Sequence, residues 1–279
     1  MNPTDHTQRL IQHYADANLV HRLREALIAE GDNPDALSCD QIAPIDQLHL
    51  GGRAASRQLA DKAGFIPGQQ VLDLGCGTGG TSRLLLDEYG VQVIGVDITP
   101  AFIETAVWLT QACGLHPRAK FICADAQQLP LEAESVDAIW SQHTLMNLPN
   151  LEAGLAEAAR VLKPGGQLLL HELLQGENPA PLDFPVPWAD EAGTSHLRPQ
   201  QAFEQALSAA GFTLKRSEDI SQQALAWRQK HRAKEARGQT GILTPQLIFG
   251  PRFIQMGKNL LDNLASDKVR LVEAIWVKS

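Results

Sequence analysis

The ten residues Val71-Leu72-Asp73-Leu74-Gly75-Cys76-Gly77-Thr78-Gly79-Gly80 join an apolar run to a glycine-rich turn, and a segment of helical period follows. The apolar run predicts a buried strand. Glycines in the turn allow positive φ angles and let a ligand lie against the main chain at the start of the helix. Gly75, Gly77 and Gly80 also satisfy the dinucleotide pattern GxGxxG, so the turn alone leaves a nicotinamide cofactor open.

Around this turn, apolar runs rich in Val, Ile and Leu alternate with segments of helical period. This alternation is typical of parallel strands joined by crossover helices, and it predicts an α/β fold with a doubly wound sheet. The predicted strands are Val71–Leu74, Val91–Asp97, Lys120–Ala124, Val136–Ser141, Gln167–Leu173, Phe212–Ile220 and Val269–Val277. The predicted helices are Thr81–Glu88, Ala101–Cys113, Leu151–Leu162 and Pro199–Ala210.

Two helical segments are expected to cover this sheet. Residues 1–52 are predicted to form an N-terminal cap, with one or two amphipathic helices between His6 and Glu30. Residues 53–279 are predicted to form the main domain. Within that domain, residues 222–266 read as a mostly helical insertion that caps the carboxyl edge of the sheet, where open α/β sheets bind ligands. The prolines after Gly176 predict a loop, because proline lacks an amide donor and has a fixed φ.

Carboxylates stand at the ends of three successive predicted strands. Asp73 lies inside the first, where it would face a cationic amino group and repel a pyrophosphate. Asp97 closes the second, where it can accept both ribose hydroxyls, and Asp125 with Ala126 follows the third, where it suits an adenine amino group. Each aspartate alone could cap a helix or a turn. The set of three predicts a nucleoside that carries a cationic amino acid, and a hydride-transfer enzyme has no need for it.

Residues Asp73 to Gly79 resemble motif I of class I S-adenosylmethionine methyltransferases, and Arg160-Val161-Leu162-Lys163-Pro164-Gly165-Gly166 resembles the motif before their fifth strand. The resemblance implies a Rossmann-like sheet of seven strands with the last one antiparallel, and S-adenosylmethionine as the cofactor, with S-adenosylhomocysteine as its product. It implies these cofactor-binding residues: Asp73, Gly75, Cys76, Gly77, Thr78, Gly79, Asp97, Ile98, Asp125, Ala126 and Ser141.

Three further segments resemble a small-molecule subgroup of this family that includes relatives of sarcosine and dimethylglycine N-methyltransferases. They are Asp46 to Arg53, Ser141 to Asn147 and Phe184 to Ala189. The resemblance implies methyl transfer to a small molecule, with nitrogen the favoured acceptor atom and oxygen, carbon and sulfur left open. A nicotinamide-dependent oxidoreductase and a non-catalytic cofactor-binding protein are the competing interpretations.

Two histidines are the candidate catalytic residues. His143 or His49 could take a proton from the acceptor, because imidazole titrates near neutral pH, or either could simply line the site. Many members of the subgroup carry a histidine where this chain has Asn147. The candidate substrate-contacting residues are Gln47, Gln142, Asn147 and Trp188.

Three aromatic residues could form a wall that attracts a methylammonium group. These residues are Trp188, Trp140 and Tyr14, and the attraction would be of the cation–π kind. Packing in a core or a cap is the alternative role for all three.

The composition excludes several other classes of function. A net charge of −8 argues against a chain that holds nucleic acid, and the (N/D)PP(Y/F) segment of DNA base methyltransferases is replaced by Ser141-Gln142-His143-Thr144. Four cysteines without a CxxC pair predict reduced thiols and no metal site. No run approaches the ~18 apolar residues of a membrane span. We therefore expect a cytoplasmic protein, with a homodimer possible, that binds neither nucleic acid nor membrane.

Overall fold

The computed structural model describes residues 18–237 and 241–279. Tyr14 and the start of the predicted N-terminal helices lie outside these residues. The helices are α1 Leu19–Glu30, α2 Cys39–Asp46, α3 Gly52–Ala63, α4 Gly80–Glu88, α5 Pro100–Ala112, α6 Leu151–Val161, α7 Gln200–Ala209, α8 Ser221–Ala236, α9 Gln246–Phe249 and α10 Phe253–Ala265. The strands are β1 Gln70–Leu74, β2 Gln92–Asp97, β3 Ala119–Cys123, β4 Val136–Gln142, β5 Leu162–Gln175, β6 Phe212–Asp219 and β7 Val269–Lys278.

The strands form one seven-stranded sheet in the order β3-β2-β1-β4-β5-β7-β6. Strands β1 to β5 pair in parallel, and β7 is antiparallel to both β5 and β6. The predicted doubly wound sheet with an antiparallel last strand is therefore confirmed. Strand order reverses beside β1, where the crossovers leave in opposite directions, and such a point forms a ligand-binding crevice at the carboxyl ends of the strands.

One strand is longer than its sequence predicts. β5 begins at Leu162, which pairs with Val136, so the segment from Lys163 to Gly166 continues the strand. Gly165 has a φ of +73° inside this segment. The prediction started the strand at Gln167 because proline and glycine are depleted in strands and normally mark irregular positions.

Both faces of the central strands are buried. Leu72, Ile139 and Leu168 pack on one face, and Val71 and Trp140 pack on the other. Burial on both faces explains why these strands read as continuous apolar runs. Trp140 is fully buried beside Phe65, with 6.4 Å between ring centroids, so it takes the core-packing role and not a place in the aromatic wall.

The cap helices α1, α2 and α9 share an apolar cluster with α5. At the end of α2, the carboxylate of Asp46 accepts a hydrogen bond from the buried guanidinium of Arg83 in α4, with 2.8 Å between Oδ2 and Nη2. The carbonyl of Asp46 lies 2.0 Å from where a Cβ on Gly80 would stand, so only glycine lets the two helices approach this closely. The cap is thus held against the glycine turn by a buried ion pair as well as by apolar contacts.

The opposite part of the cap consists of α8, α10 and the proline-rich loop. Val186 and Trp188 of that loop pack against Leu260 of α10 and Leu271 of β7. Residues 177–191 form neither a helix nor a strand of the sheet, as the prolines predict. None of the described helices is long and apolar enough to cross a membrane.

Candidate functional site

A cavity of about 980 Å³ lies at the carboxyl ends of the parallel strands, under the cap. Its floor comes from the residues that follow β1, β2, β3 and β4, and its roof from the helical segments on either side of the sheet. Ligand pockets commonly measure roughly 300–1,000 Å³. The volume therefore accommodates two small organic molecules side by side.

The glycine turn after β1 brings the main chain to the cavity surface. Gly75 has a φ of +76° and Gly77 one of +52°. A Cβ on Gly75 would lie 2.1 Å from Oγ1 of Thr144, so no side chain fits there. The amides of Gly75 and Cys76 donate to the carbonyl of Val96 at 2.7 and 3.0 Å, which ties the turn to the end of β2.

The predicted acidic residues at the carboxyl ends of β2 and β3 line one end of the cavity. Asp97 accepts from the amide of Gly77 at 3.0 Å and from that of Thr99 at 2.8 Å, and burial raises the pKa of its carboxyl. Asp125 accepts from the amide of Gln127 at 2.8 Å. Ile98 and Ala126 lie on the cavity wall beside these two carboxylates. This end therefore presents two fixed acceptors next to apolar surface.

Five of the predicted cofactor residues lie behind the wall. They are Asp73, Cys76, Thr78, Gly79 and Ser141. Asp73 is 3% exposed and accepts from the hydroxyl of Ser82 in α4 at 2.6 Å, while burial raises its pKa to about 6. It shares the strand face of Val71, which packs against α4. Because side chains alternate along a strand, Asp73 supports the glycine turn from beneath. The sequence predicts that Asp73 faces the cavity, and in the structure it does not.

Glu172 in β5 supports the loop after β4, and the sequence analysis did not single it out. Its carboxylate is 1% exposed and accepts from the hydroxyl of Ser141 at 2.6 Å and from the amides of Thr144 and Leu145 at 3.0 and 3.2 Å. Burial raises its pKa to about 7. The available signal is the polar pair His171-Glu172 inside the otherwise apolar run from Leu168 to Leu174.

The raised pKa of Glu172 predicts a pH effect on stability. A carboxyl whose folded pKa lies above its unfolded value near 4.5 adds stability below that value, and the contribution is lost as pH rises towards 7. We expect Glu172→Gln to remove this part of the decline between those two values, because glutamine does not titrate. Urea unfolding of both proteins across the range measures it. Parallel pH curves for the two proteins would contradict the assignment.

Three histidines cluster beneath the end of the cavity that lies opposite Asp97 and Asp125. The rings of His143 and His171 stack with centroids 5.4 Å apart, and His49 meets them edge-on at 6.2 and 5.5 Å. Burial lowers the pKa of His49 to about 4, that of His171 to about 3 and that of His143 well below 6.5. All three imidazoles are therefore neutral at pH 7. His171 is a member of the cluster that sequence reasoning missed.

The two candidate bases differ in how their ring nitrogens are used. Nε2 of His49 lies 3.2 Å from the carbonyl of Gly52 and 3.0 Å from the hydroxyl of Ser56. Nε2 of His143 has no partner among the described residues, and the residue lines the cavity with a φ of +52°. The geometry therefore favours His143 over His49 as a proton acceptor.

All four predicted substrate residues lie on the cavity wall: Gln47, Gln142, Asn147 and Trp188. The side-chain oxygen of Gln142 accepts from Thr81 at 2.7 Å, and its Nε2 has no partner in the described part of the chain. The Oε1 of Gln47 likewise lacks one there. These two buried amide groups can bind polar atoms of a ligand.

The cap contributes an apolar wall that the sequence analysis left unassigned. It includes Leu50, Trp227, Leu243, Phe249 and Phe253, and Met146 from the loop after β4 extends it. Trp227 and His231 lie one helical turn apart in α8 with ring centroids 3.9 Å apart, a spacing that places both on one face of the helix. The end of the cavity opposite Asp97 and Asp125 therefore suits a largely apolar molecule.

Residues 72–170 match a family model described as a methyltransferase domain. Over these residues, about a third of the chain, the protein is similar to a methyltransferase domain, and its sheet has the class I fold. The match spans the glycine turn, both cavity carboxylates and the motif from Arg160 to Gly166 at the start of β5, which are the residues that predict this family. The methyltransferase family uses S-adenosylmethionine, in agreement with the predicted cofactor.

Relatives of this methyltransferase domain include phosphoethanolamine N-methyltransferase 1 from Arabidopsis thaliana, which is 31% identical over 63% of this chain and 35% of its own length. The matched regions span 47%, 35% and 64% of the length of three such relatives. The chain thus covers from about a third to under two thirds of the proteins it matches.

Solved structures show the same fold as the methyltransferase domain and its cap. A phosphoethanolamine N-methyltransferase 2 from Haemonchus contortus, in complex with S-adenosylhomocysteine, has a TM-score of 0.75 at 18% identity, over 98% of this chain and 60% of that one. The [4+2]-cyclase SpnF has a TM-score of 0.70 at 23% identity, over 98% and 96% of the two chains. These likenesses establish the fold.

Proposed function

We propose that this protein transfers a methyl group from S-adenosylmethionine to a small, largely apolar acceptor, with nitrogen the favoured acceptor atom. The observation that carries the proposal is a single cavity with two kinds of end. Asp97 and Asp125 lie at one end, and the neutral imidazole of His143 lies at the other beside an apolar wall.

The residues of the acidic end fit the adenosyl donor. Asp97 can accept from the ribose hydroxyls, and Asp125 can accept from the adenine amino group while Ile98 and Ala126 flank the ring. A Cβ on Gly77 would meet only Cδ1 of Leu48, at 3.9 Å, so the space over this glycine lets the methionine part lie against the main chain. Oε1 of Gln47 and Nε2 of Gln142, which have no partner among the described residues, supply polar contacts on the cavity wall. Asp73 acts here as a buried support for the turn.

The methyl-transfer step needs few chemical groups from the protein. When bound, the donor supplies a methyl group on a sulfonium leaving group. The chain aligns the nucleophile, excludes water and holds the released proton, and alignment alone can contribute roughly 7–11 kcal/mol. For an acceptor N–H group, the new C–N bond forms as the C–S bond breaks. The proton then passes to Nε2 of His143, which returns it to solvent.

Nitrogen is favoured because the relatives include phosphoethanolamine N-methyltransferases and because Trp188 and Trp227 can stabilise a methylammonium product by cation–π attraction. Oxygen and carbon acceptors occur among other relatives. We also propose a cytoplasmic location, supported by four cysteines that are all free thiols.

A screen of metabolite extracts with isotopically methyl-labelled donor tests the proposed function. We expect one or a few labelled products, and fragmentation in the mass spectrometer that places the label on nitrogen. A label on oxygen or carbon would overturn the choice of atom and keep methyl transfer. Binding of the donor without any labelled product would overturn methyl transfer itself.

Asp97→Ala is predicted to weaken donor binding by roughly 1–3 kcal/mol, which raises Kd by roughly 5- to 150-fold, because the ribose hydroxyls lose their acceptor. Asp35→Ala is the matched control, since Asp35 is exposed and lies outside the cavity wall. Calorimetry with S-adenosylhomocysteine measures both. Equal affinity in the two variants would place the ribose elsewhere.

A second candidate function is a cyclisation that consumes no methyl donor. The likeness to the [4+2]-cyclase covers almost the whole chain, cap included, so the same fold can shape a substrate cavity for that chemistry. The labelling screen separates the two. A cyclase would convert a metabolite to an isomer of unchanged mass and leave the donor intact.

A further inference from the structure

Two cysteines from different layers of the molecule lie side by side at the base of the cap. Cys39 is the first residue of α2, and Cys113 directly follows α5. Both pack against the same apolar cluster, and both are half-buried. The amide of Leu37 donates to the carbonyl of Ala112 at 3.0 Å, which independently joins the same two segments. The main chain therefore brings together the two segments that carry these thiols.

We propose that Cys39 and Cys113 are an oxidisable dithiol, a modification site that reacts with a small disulfide such as glutathione disulfide and closes to an intramolecular disulfide. The two remaining cysteines do not take part. Cys76 is buried within the core, and Cys123 is exposed at the end of β3 on its own.

The environment of the pair favours Cys113 as the attacking thiol. The hydrogen bond with Cys39 lowers the pKa of Cys113, and the charge of Arg83 lowers it further, whereas the same contact raises the pKa of Cys39. A lower pKa increases the thiolate fraction, and the thiolate is the nucleophile. Burial raises the pKa of Cys76 and also that of Cys123, so neither competes as a thiolate.

The reaction balances as two thiol–disulfide exchanges. The Cys113 thiolate attacks one sulfur of glutathione disulfide, which forms a mixed disulfide and releases one glutathione thiolate. The Cys39 thiolate, after loss of its proton to solvent, attacks the Cys113 sulfur and releases the second glutathione. The protein loses two hydrogens, and one glutathione disulfide is reduced to two glutathione thiols.

The disulfide would staple the cap to the main domain. Helix α2 carries Pro44 and is followed by Gln47, and both line the cavity, while α5 carries Phe102 on another part of the wall. Cross-linking the start of α2 to the end of α5 fixes the position of this wall. It also closes a long loop of chain, which is the condition under which a cross-link constrains the unfolded state most.

The test uses the full chain with Cys123→Ser, which removes the exposed thiol. After incubation with glutathione disulfide, we expect the intact mass to fall by two hydrogens, a peptide that links Cys39 to Cys113, and a Tm raised by roughly 5–10 °C. Amide exchange in residues 39–46 should slow. Dithiothreitol should reverse each change. Cys39→Ser and Cys113→Ser in the same background are the matched controls, and neither should show the cross-link or the Tm shift.

Two outcomes would overturn the proposal. One is a stable mass gain of one glutathionyl group in exchange for one thiol hydrogen, which would show a mixed disulfide that the second cysteine does not resolve. The other is an unchanged mass while an accessible control peptide with two cysteines oxidises under the same conditions. Both readouts are independent of methyl transfer, so they stand whether or not the proposed function holds.

Discussion

Replacing His143 with asparagine is expected to lower kcat by roughly 10²–10⁴-fold, the usual contribution of a positioned general base. Asparagine keeps the strained backbone, because it tolerates the left-handed region better than most residues, and His143 has a φ of +52°. The affinity for S-adenosylhomocysteine should stay within about threefold, since the histidine lies away from the acidic end. Steady-state kinetics with the acceptor found in the screen, together with calorimetry, measures both quantities.

The matched control for His143 is His49→Gln. Nε2 of His49 is already engaged by Ser56 and the carbonyl of Gly52, so its loss should affect kcat much less. The pH profile gives a second check. Burial and the neighbouring histidines lower the pKa of His143 well below 6.5, so the base stays neutral near pH 7. We therefore expect kcat/KM to fall only at a pH well below 6.5. A kcat of His143→Asn within threefold of wild type would end the assignment.

Arg83→Met is expected to cost about 3–5 kcal/mol of folding stability. The guanidinium is fully buried and donates to Asp46, to the carbonyl of Thr78 and to the hydroxyl of Thr110. Its removal leaves the carboxylate of Asp46 buried without a counter-charge. Urea unfolding measures the loss of stability, and an unchanged slope m in the variant checks that unfolding stays two-state.

A double variant separates the ion pair from the packing of the arginine stem. We expect Asp46→Leu combined with Arg83→Met to recover much of the loss, because an apolar pair leaves no uncompensated charge. Asp46→Leu alone should be nearly as destabilising as Arg83→Met alone. If the single arginine variant lost less than about 1 kcal/mol, the cap would be held by its apolar cluster and not by this pair.

The sequence predicts the sheet well because the determining interactions are local. The glycine turn and the apolar runs with intervening helical period place all seven strands, and the family resemblance implies that the last one is antiparallel. The early start of β5 is missed because the segment from Lys163 to Gly166 contains residues that disfavour strands. The pairing of Leu162 with Val136, a contact distant in sequence, holds that segment in the sheet.

The site is predictable where it depends on strand ends and unpredictable where it depends on packing. Asp97 and Asp125 reach the cavity because Asp97 is the last residue of β2 and Asp125 lies two residues past the end of β3. Asp73 does not, because its side chain lies on the face of β1 that α4 covers. The roles of Glu172 and His171 arise from the pairing of β5 with β4, and no local pattern encodes which side chains that pairing brings together.

A crystal structure of the protein with S-adenosylhomocysteine is the most direct test of the central claim that the cavity's acidic end binds the adenosyl donor. We predict ribose hydroxyls on the carboxylate of Asp97, the adenine amino group on Asp125, and the sulfur atom directed towards His143. An adenosyl group bound elsewhere, or a phosphate-bearing dinucleotide retained in this cavity, would contradict it.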